Sequence, residues 1–221
     1  MKKSLANKLS LFFSGIVFVT CLILVGITVL IFGNIRERME NVLYENTLEA
    51  YKTEVKSEVQ SAISSVEYYY NLSENGRIDE DTAKKDALEA LRNLRYGDDS
   101  SGYFWVDDTD YNLVMHPILP EQEGTNRYDL TDKNGVKIIQ SIMKTADSGG
   151  GFNEFYFTKS DGKTVAPKIA YSQKFDKWNW VITTGIYSDD IQGIVQKSTG
   201  LNRIIKIFSA STSFLIVIAV I

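Results

Sequence analysis

The sequence predicts an α+β fold: an antiparallel sheet of about five strands with a long N-terminal helix, flanked by two transmembrane helices. Three observations predict it. Residues 11–33 form an uncharged apolar run. From Asn34 to about Leu72, apolar residues recur every three or four positions without glycine or proline, and from Gly102 the apolar period changes to two. A period near 3.6 is typical of a helix, and a period of two is typical of strands.

The N-terminal apolar run supports two interpretations. No side chain is charged from Leu9 to Ile35, so a helix of residues 11–33 is long enough to cross a hydrocarbon core of about 30 Å. A cleaved secretory signal is the alternative, because three lysines precede the run. The run is longer than the apolar part of a typical signal, and no small-x-small cleavage site precedes Asn34. We favour an uncleaved signal anchor, and those lysines place residues 1–10 in the cytoplasm.

Residues 34–203 are then an extracytoplasmic domain of a two-span protein in the cytoplasmic membrane of the cell. Residues 204–221 start a second transmembrane helix, which is still apolar at Ile221 and too short to span. We therefore expect the chain to be a fragment that lacks a cytoplasmic signalling domain. Two spans joined to the two ends of one folded unit favour a role in passing a change across the membrane.

The composition of residues 34–203 argues against several classes of function. The segment has 170 residues, the size of one domain with its own core. It holds all 28 acidic residues but only 20 of the 24 basic ones, and its formal charge of −8 argues against a nucleic-acid partner. The single cysteine, Cys21, lies in the first span, so neither disulfides nor a cysteine metal site are expected outside the membrane.

The order of elements follows from periodicity and from turn residues. The long helix is joined directly to a membrane span, which suits the interface of a homodimer. A shorter helix with acidic residues at its start precedes Gly97, a helical insert runs from about Gly135 to Ala146, and a last helix begins at Ser188. The five strand-like segments are YFWV, NLVMHP, GFNEFYFTK, APKIAYSQKF and WNWVITTGIY.

Catalytic, metal and cofactor sites are not expected. The chain has one histidine, His116, and no G-x-S-x-G or H-E-x-x-H motif, so the nucleophile and base of a hydrolase are missing. One histidine without cysteine does not make the usual zinc site. Asp107, Asp108 and Asp110 resemble the start of a calcium loop, but a hairpin turn explains DDTD better, because the later glycine and glutamate are missing. SGGGF lacks the lysine of a P-loop and is interpreted as a turn.

His116 has a structural and a functional interpretation. It is either a histidine satisfied within the core or a ring N–H donor to a bound carboxylate. Lys168 is either solvated or part of the same pocket. Strand alternation puts Tyr103 with Trp105, Val114 with His116, and Lys168 with Ala170 and Ser172. One face of the sheet then combines hydroxyl, indole, imidazole and ammonium groups with apolar walls, which is what a small carboxylate needs.

Seven motifs, taken in order, resemble a known family. They are RYG, GYFWVDDTD, VMHP, GxxRYDLTDKNG, GGGFNEFYF, APKIAYSQKF and WNWVITTGIYSDDI. Their order and spacing resemble the single Cache domain of bacterial transmembrane chemoreceptors, the methyl-accepting chemotaxis proteins. The resemblance implies a PAS-like antiparallel sheet beside a long helix. It also implies that the domain binds small organic acids, such as acetate, propionate, pyruvate or lactate, outside the membrane.

The resemblance further implies a set of ligand-binding residues. The aromatic strand supplies Tyr103 and Trp105, the MHP element supplies Met115 and His116, and the PK element supplies Lys168. Four further residues match positions that complete the pocket: Arg95, Tyr96, Tyr171 and Phe157. No catalytic residue and no metal ligand is implied.

The leading hypothesis is an extracytoplasmic sensor module of a chemoreceptor that binds a small organic acid and signals to a cytoplasmic output domain. A first rival keeps the sensor and changes the output to a histidine kinase or a cyclic-dinucleotide enzyme. A second rival is an anchored structural or adhesive protein without a small ligand. A membrane-tethered hydrolase is disfavoured by the missing nucleophile and base.

Overall fold

The computed structural model describes residues 5–97, 100–159 and 161–198 of the chain. The elements in this part are α1 (Leu5–Glu74), α2 (Glu80–Asn93), β1 (Trp105–Asp108), β2 (Leu113–Met115), a short 3-10 helix (Pro120–Gln122), α3 (Ile138–Asp147), β3 (Gly151–Thr158), β4 (Val165–Phe175), β5 (Trp180–Tyr187) and α4 (Ser188–Ser198). The second membrane helix expected from residue 204 lies outside the described residues.

The chain divides into two compact units, one of residues 1–46 with 193–221 and one of residues 47–192. In the first unit, α1 carries exposed apolar side chains along residues 9–35. Within the described residues, α1 is the one helix long and apolar enough to cross a membrane, with a mean hydropathy of 2.9 in its most apolar stretch. A signal sequence near an N-terminus has the same properties, so the span and the domain boundaries stay predictions.

The strands of the second unit form one antiparallel sheet in the order β2-β1-β5-β4-β3. β4 lies between β3 and β5, and its Lys168 is opposite Phe155 on one side and Tyr187 on the other. β1 pairs with β5, with Trp105 opposite Thr183. This sheet and the long α1 confirm the predicted α+β fold.

A tight turn joins β1 to β2, as predicted for the DDTD segment. The Asp108 carboxylate accepts hydrogen bonds from the backbone N–H groups of Asp110 at 2.9 Å and of Asn112 at 2.8 Å. These bonds hold the acidic run in a turn. Among the described residues, no group of three or more histidine, cysteine or acidic side chains is placed to hold a metal ion. The pairing of β1 with β2 and the two Asp108 hydrogen bonds confirm the hairpin interpretation.

A bulge in this hairpin breaks the predicted alternation. The register shifts between Val106 and Asp107 of β1, which leaves Val114 of β2 as an extra residue. Val114 and Met115 both contact the core on the α1 and α2 side, whereas the His116 ring contacts rings on the opposite face. The prediction that Val114 and His116 share a face is wrong, because one extra residue moves the following side chains to the other face.

One face of the sheet packs against α1 and α2. Asp79 starts α2 by accepting the Thr82 backbone N–H at 2.8 Å, and both helices bury a stripe spaced three or four residues apart. The buried members of this helix-side core are Val55, Val59, Ala62 and Val66 of α1, Ala83, Ala87 and Leu91 of α2, and Phe104, Val106, Met115, Tyr171, Phe175, Trp178, Trp180 and Ile182 of the sheet region. The outer face of the unit's long helix therefore stays free of the core.

The other face of the sheet packs against α3. The buried members of this α3-side core are Tyr103, Trp105, Leu113, Phe155, Ala170 and Val181 of the sheet region and Ile138, Ile139, Ile142, Met143 and Ala146 of α3. The side chains of Tyr103 and Trp105 thus lie on one face of the sheet and those of Phe104 and Val106 on the other, as alternation predicts. The candidate site lies on this second face.

Strands β4 and β5 approach closely at Gly185. A Cβ atom at this position would lie 2.4 Å from the Ile169 carbonyl oxygen and 2.8 Å from Ala170 Cα. Both are backbone atoms of the paired strand, so they cannot rotate away. Only glycine fits here without separating the two strands.

Replacing Gly185 with alanine is expected to destabilise the domain by about 2 kcal/mol or more, because the added methyl must displace backbone. Gly193 of α4 is the control, since a Cβ there would meet nothing within 4 Å. Gly193→Ala is expected to be neutral or to stabilise by up to about 1 kcal/mol. Denaturant unfolding of the chain in detergent measures both changes. Equal stabilities for the two variants would contradict the close approach.

Candidate ligand-binding site

Lys168 of β4 lies at the centre of the candidate site and is 1% exposed. Its Nζ donates a hydrogen bond to Tyr103 Oη at 2.9 Å. Four aromatic rings surround the ammonium, with centroids at 4.3 Å for Tyr103, 4.7 Å for Trp105, 4.9 Å for Tyr187 and 5.7 Å for Phe157. We call these four rings and the ammonium the lysine cage.

The ammonium in the lysine cage has no carboxylate partner among the described residues. Moving a charged group from water into a protein interior costs several kcal/mol after relaxation. Cation–π contacts offset about 0.5 to 2 kcal/mol of such a cost, and the neutral Tyr103 hydroxyl does not neutralise the charge. The cage is therefore suited to an anion.

His116 follows β2 and is 1% exposed. Its Nδ1 accepts hydrogen bonds from the backbone N–H groups of Ile118 at 3.1 Å and Leu119 at 3.2 Å, so the ring proton must be on Nε2. No described group accepts a hydrogen bond from Nε2. Burial first, and then the charges of Lys168 and Arg127, lower the pKa of His116 to about 3. The ring is thus a neutral donor with an unused N–H group.

The imidazole of His116 joins the lysine cage through ring contacts. Its centroid is 5.3 Å from that of Tyr103, 6.0 Å from that of Trp105 and 6.2 Å from that of Phe157. An ammonium and a neutral N–H donor therefore face the same aromatic surroundings. This is a set of groups that can bind a carboxylate and exclude water from it.

Five of the nine residues implied by the resemblance lie in this cluster: Tyr103, Trp105, His116, Phe157 and Lys168. The other four lie elsewhere. Met115 and Tyr171 belong to the helix-side core. Arg95 is exposed, and its guanidinium donates to the carbonyl oxygens of Arg92 and Leu94, both at 2.7 Å.

Tyr96 reaches the site only indirectly. Its hydroxyl lies 2.6 Å from Thr184 Oγ1, and Thr184 donates to the Tyr103 carbonyl oxygen at 2.6 Å. Burial raises the pKa of the Tyr96 hydroxyl, so it stays protonated. Tyr96 therefore supports the backbone of Tyr103 from the helix side of the sheet.

Tyr187 is a cage residue that the motifs did not indicate. Its hydroxyl donates to the Thr158 carbonyl oxygen at 2.7 Å, and burial and the nearby Tyr103 raise its pKa. Alternation along β5 puts Tyr187 on the same face as Thr183, which is opposite Trp105. Alternation along β5 therefore indicates Tyr187 as a cage residue only when the register of β5 against β1 is known.

A buried ion pair adjoins the cage. Asp107 accepts hydrogen bonds from Arg127 Nε at 3.0 Å and from Arg127 Nη2. Burial raises the pKa of Asp107, whereas the Arg127 guanidinium and the Trp105 indole lower it. Arg127 comes from the loop between β2 and α3, so the pair fixes this loop to β1. Its charge is matched by Asp107 and is not free for a ligand.

Comparisons with known proteins show similarity to a sensor histidine kinase, a chemoreceptor and a chemosensory domain. The sensor histidine kinase MctS of Rhizobium johnstonii is 32% identical over 159 residues, which are 72% of this chain and 33% of the kinase. The methyl-accepting chemotaxis protein McpP of Pseudomonas putida is 30% identical over 135 residues, 61% of this chain and 24% of that protein. A Cache chemosensory domain, solved to explain carboxylic acid recognition, is 26% identical with a TM-score of 0.61; the match covers 65% of this chain and 97% of that domain.

The fold and these relatives define a sensor domain of the kind found in chemoreceptors and sensor kinases. The family model Single Cache domain 2 matches residues 47–199, more than half of the chain. The chain belongs to the single Cache domain family, which confirms the resemblance in the motifs. It spans about a third of the length of the kinase and about a quarter of the chemoreceptor.

His116 is the single histidine of the chain, so its imidazole signals need no assignment. The ring is expected to carry its proton on Nε2 at pH 7 and to stay neutral down to roughly pH 4, because burial lowers its pKa to about 3. Long-range ¹⁵N–¹H spectra of the histidine-labelled chain measure both properties. A titration midpoint near 6.5, or a proton on Nδ1, would contradict the buried donor.

Unfolding at different pH values checks the same property of His116. The folded pKa lies below the unfolded value of 6.5, so the unfolded chain takes up this proton first as the pH falls. The stability that His116 contributes is therefore complete above pH 6.5 and is lost progressively from 6.5 towards about 3. His116→Gln is expected to lose stability less steeply than the parent over this window.

Proposed function

We propose that this chain is the sensor module of a bacterial receptor, binds a small carboxylate outside the membrane, and signals to an output domain in the cytoplasm. The observation that carries the proposal is the buried Lys168 ammonium without a carboxylate partner among the described residues. A bound carboxylate would neutralise this ammonium and accept the His116 Nε2–H. Its carbon chain would lie against the rings of the lysine cage.

The charge of the cage favours a monocarboxylate over a dicarboxylate. Lys168 supplies one positive charge, His116 is neutral, and the charge of Arg127 is matched by Asp107. The described part of the chain offers this buried site no second free cation, so burying a second carboxylate there would be costly. Acetate, propionate, pyruvate and lactate each carry one negative charge and a short chain. The solved relative described for carboxylic acid recognition supports a carboxylic acid as the ligand.

The relatives support two of the candidate output domains. A chemoreceptor leads, because the motifs resemble methyl-accepting chemotaxis proteins and McpP is a relative. A histidine kinase is the second candidate, because the match to MctS covers 72% of this chain and the match to McpP covers 61%. In either case the lysines before the apolar run favour a sensor domain outside the cytoplasmic membrane, and the long α1 suits a homodimer contact.

Tyr187 connects the cage with the start of α4. Its ring centroid lies 4.9 Å from Lys168 Nζ and 5.1 Å from Lys159 Nζ. Lys159 forms ion pairs with Asp189 at 2.9 Å and Asp190 at 2.7 Å, both in the first turn of α4. An anion that draws the Lys168 ammonium from the Tyr187 ring would change these contacts and bias the position of the turn.

The ligand class is tested by thermal unfolding of the chain with single acids. At tenfold excess over its dissociation constant, a monocarboxylate of two or three carbons is expected to stabilise the protein by about 1.4 kcal/mol. Succinate at the same concentration is expected to stabilise it less, because its second charge has no partner. If no monocarboxylate raises the melting temperature, the assignment of the cage is wrong.

Lys168→Met separates binding from folding in the same experiment. The variant should be at least as stable as the parent without ligand, because an apolar chain replaces a buried unpaired charge, but it should lose the response to the acid. Lys174→Met is the control on the same strand, since Lys174 pairs with Asp147 and Asp176 near the surface. A full response in Lys168→Met would exclude this lysine from the site.

Lys159→Met tests the connection to α4. The variant is expected to bind the acid within about threefold of the parent, because Lys159 is not in the cage. Hydrogen exchange in the first turn of α4 should change on ligand addition in the parent but not in the variant. Lys163→Met, an exposed position in the same hairpin, is the control. An unchanged response of α4 in Lys159→Met would exclude this route.

A further inference from the structure

We infer that Glu123 and Arg92 are positioning residues for His116, and that they tie helix α2 to the candidate site around the edge of the sheet. Neither residue touches the lysine cage, and neither is among the residues implied by the motifs. The effect on the His116 ring stands by itself. The effect on ligand affinity rests on the proposed function.

The Glu123 carboxylate receives donors from two directions. Its Oε1 accepts the backbone N–H of His116 at 2.8 Å. Arg92 binds both oxygens, with Nη1 at 2.7 Å from Oε1 and Nη2 at 2.9 Å from Oε2. A two-point contact between a guanidinium and a carboxylate fixes orientation as well as distance. The acceptor for the His116 N–H is thus held by a helix on the other side of the sheet.

The need for this acceptor follows from the position of His116. β2 is the edge strand of the described sheet, and His116 is the first residue after it, so no further strand pairs with its N–H. An amide left without an acceptor in the interior costs about 1 to 3 kcal/mol. Glu123 supplies the acceptor from seven residues further along the chain.

The loop between His116 and Glu123 holds the imidazole as well as the backbone. His116 Nδ1 accepts hydrogen bonds from the N–H groups of Ile118 and Leu119. Gly124, the residue after Glu123, donates its backbone N–H to the Leu113 carbonyl oxygen at 2.7 Å. Backbone and ring of His116 are therefore fixed by one short loop. The Glu123 contact closes that loop, so its loss would release the direction of Nε2–H.

Both members of the ion pair are held in their charged forms. Burial acts to raise the pKa of Glu123, but Arg92 and the His116 N–H outweigh it and lower the pKa. The Glu123 carboxylate raises the pKa of Arg92. The side chains are partly buried, with Arg92 30% exposed and Glu123 25% exposed. Solvent therefore screens this ion pair less than it screens a pair on the open surface.

The ion pair of Arg92 and Glu123 also connects helix α2 with His116. α2 packs in the helix-side core with α1, whereas His116 faces the α3 side of the sheet. The pair of Arg92 and Glu123 therefore links two layers that the sheet otherwise separates. A shift of α2 changes the direction of the His116 donor, and a ligand held by that donor resists the shift.

The ligand-free spectrum of His116 is the first test. Glu123→Met removes the acceptor and the charge, Glu123→Gln keeps an acceptor, and Arg92→Met keeps the acceptor without its anchor. Glu121→Gln, an exposed acid of the same loop, is the control. We expect the imidazole ¹⁵N shifts and pKa to move most in Glu123→Met, less in Glu123→Gln and Arg92→Met, and not in the control. Parent-like spectra in Arg92→Met and both Glu123 variants would overturn the inference.

Affinity is the second test, with propionate as the probe. Glu123→Met is expected to weaken propionate binding about tenfold, with Glu123→Gln and Arg92→Met between it and the parent. If the parent does not bind propionate but the spectra change as expected, the positioning role stands and the ligand assignment fails. If the spectra change but affinity stays that of the parent, the link from this pair to ligand recognition is overturned.

Discussion

The ammonium of Lys168, which has no carboxylate partner among the described residues, is the constraint on which the site depends. A charge stays in a protein interior only if the surrounding packing supplies more free energy than desolvation costs. Here the packing comes from two apolar cores on the two faces of the sheet. The aromatic rings beside the ammonium offset a further part of the desolvation cost. An anion that neutralises the ammonium would recover much of the remaining cost. The desolvation cost of the buried ammonium and the proposed affinity for an anion therefore have one origin.

The sheet brings the cage together from distant parts of the chain. Tyr103 and Lys168 are 65 residues apart, and Phe157 and Tyr187 come from the two strands beside β4. These side chains meet because antiparallel register and alternation put them on one face. A slip of one residue in any of these strands would move a ring into the helix-side core. The site consequently requires the exact pairing that the tight approach at Gly185 permits.

Local patterns predicted most of this fold, because a helical stripe or an alternating strand flanked by turns is decided within a short window. The same alternation placed Tyr103 on the face of the cage. It failed at Val114, because no residue type marks a bulge, and Val114 lies with Met115 on the helix side of the sheet. The contacts of Arg127 and Glu123 depend on the path of a loop between β2 and α3. Loop paths are set by tertiary contacts, which composition and period do not encode.

Two weak connections leave the cage, and their weakness suits a sensor. One runs through His116 and Glu123 to α2, and the other through Tyr187 and Lys159 to α4. Partly exposed ion pairs each stabilise a fold by about 0 to 1 kcal/mol, whereas coupling between sites is typically about 1 to 3 kcal/mol. Binding of the proposed anion would therefore rearrange these pairs without disturbing the two cores. A fully buried pair such as Asp107 with Arg127 would resist such a change, and in this domain it fixes the loop beside the cage instead.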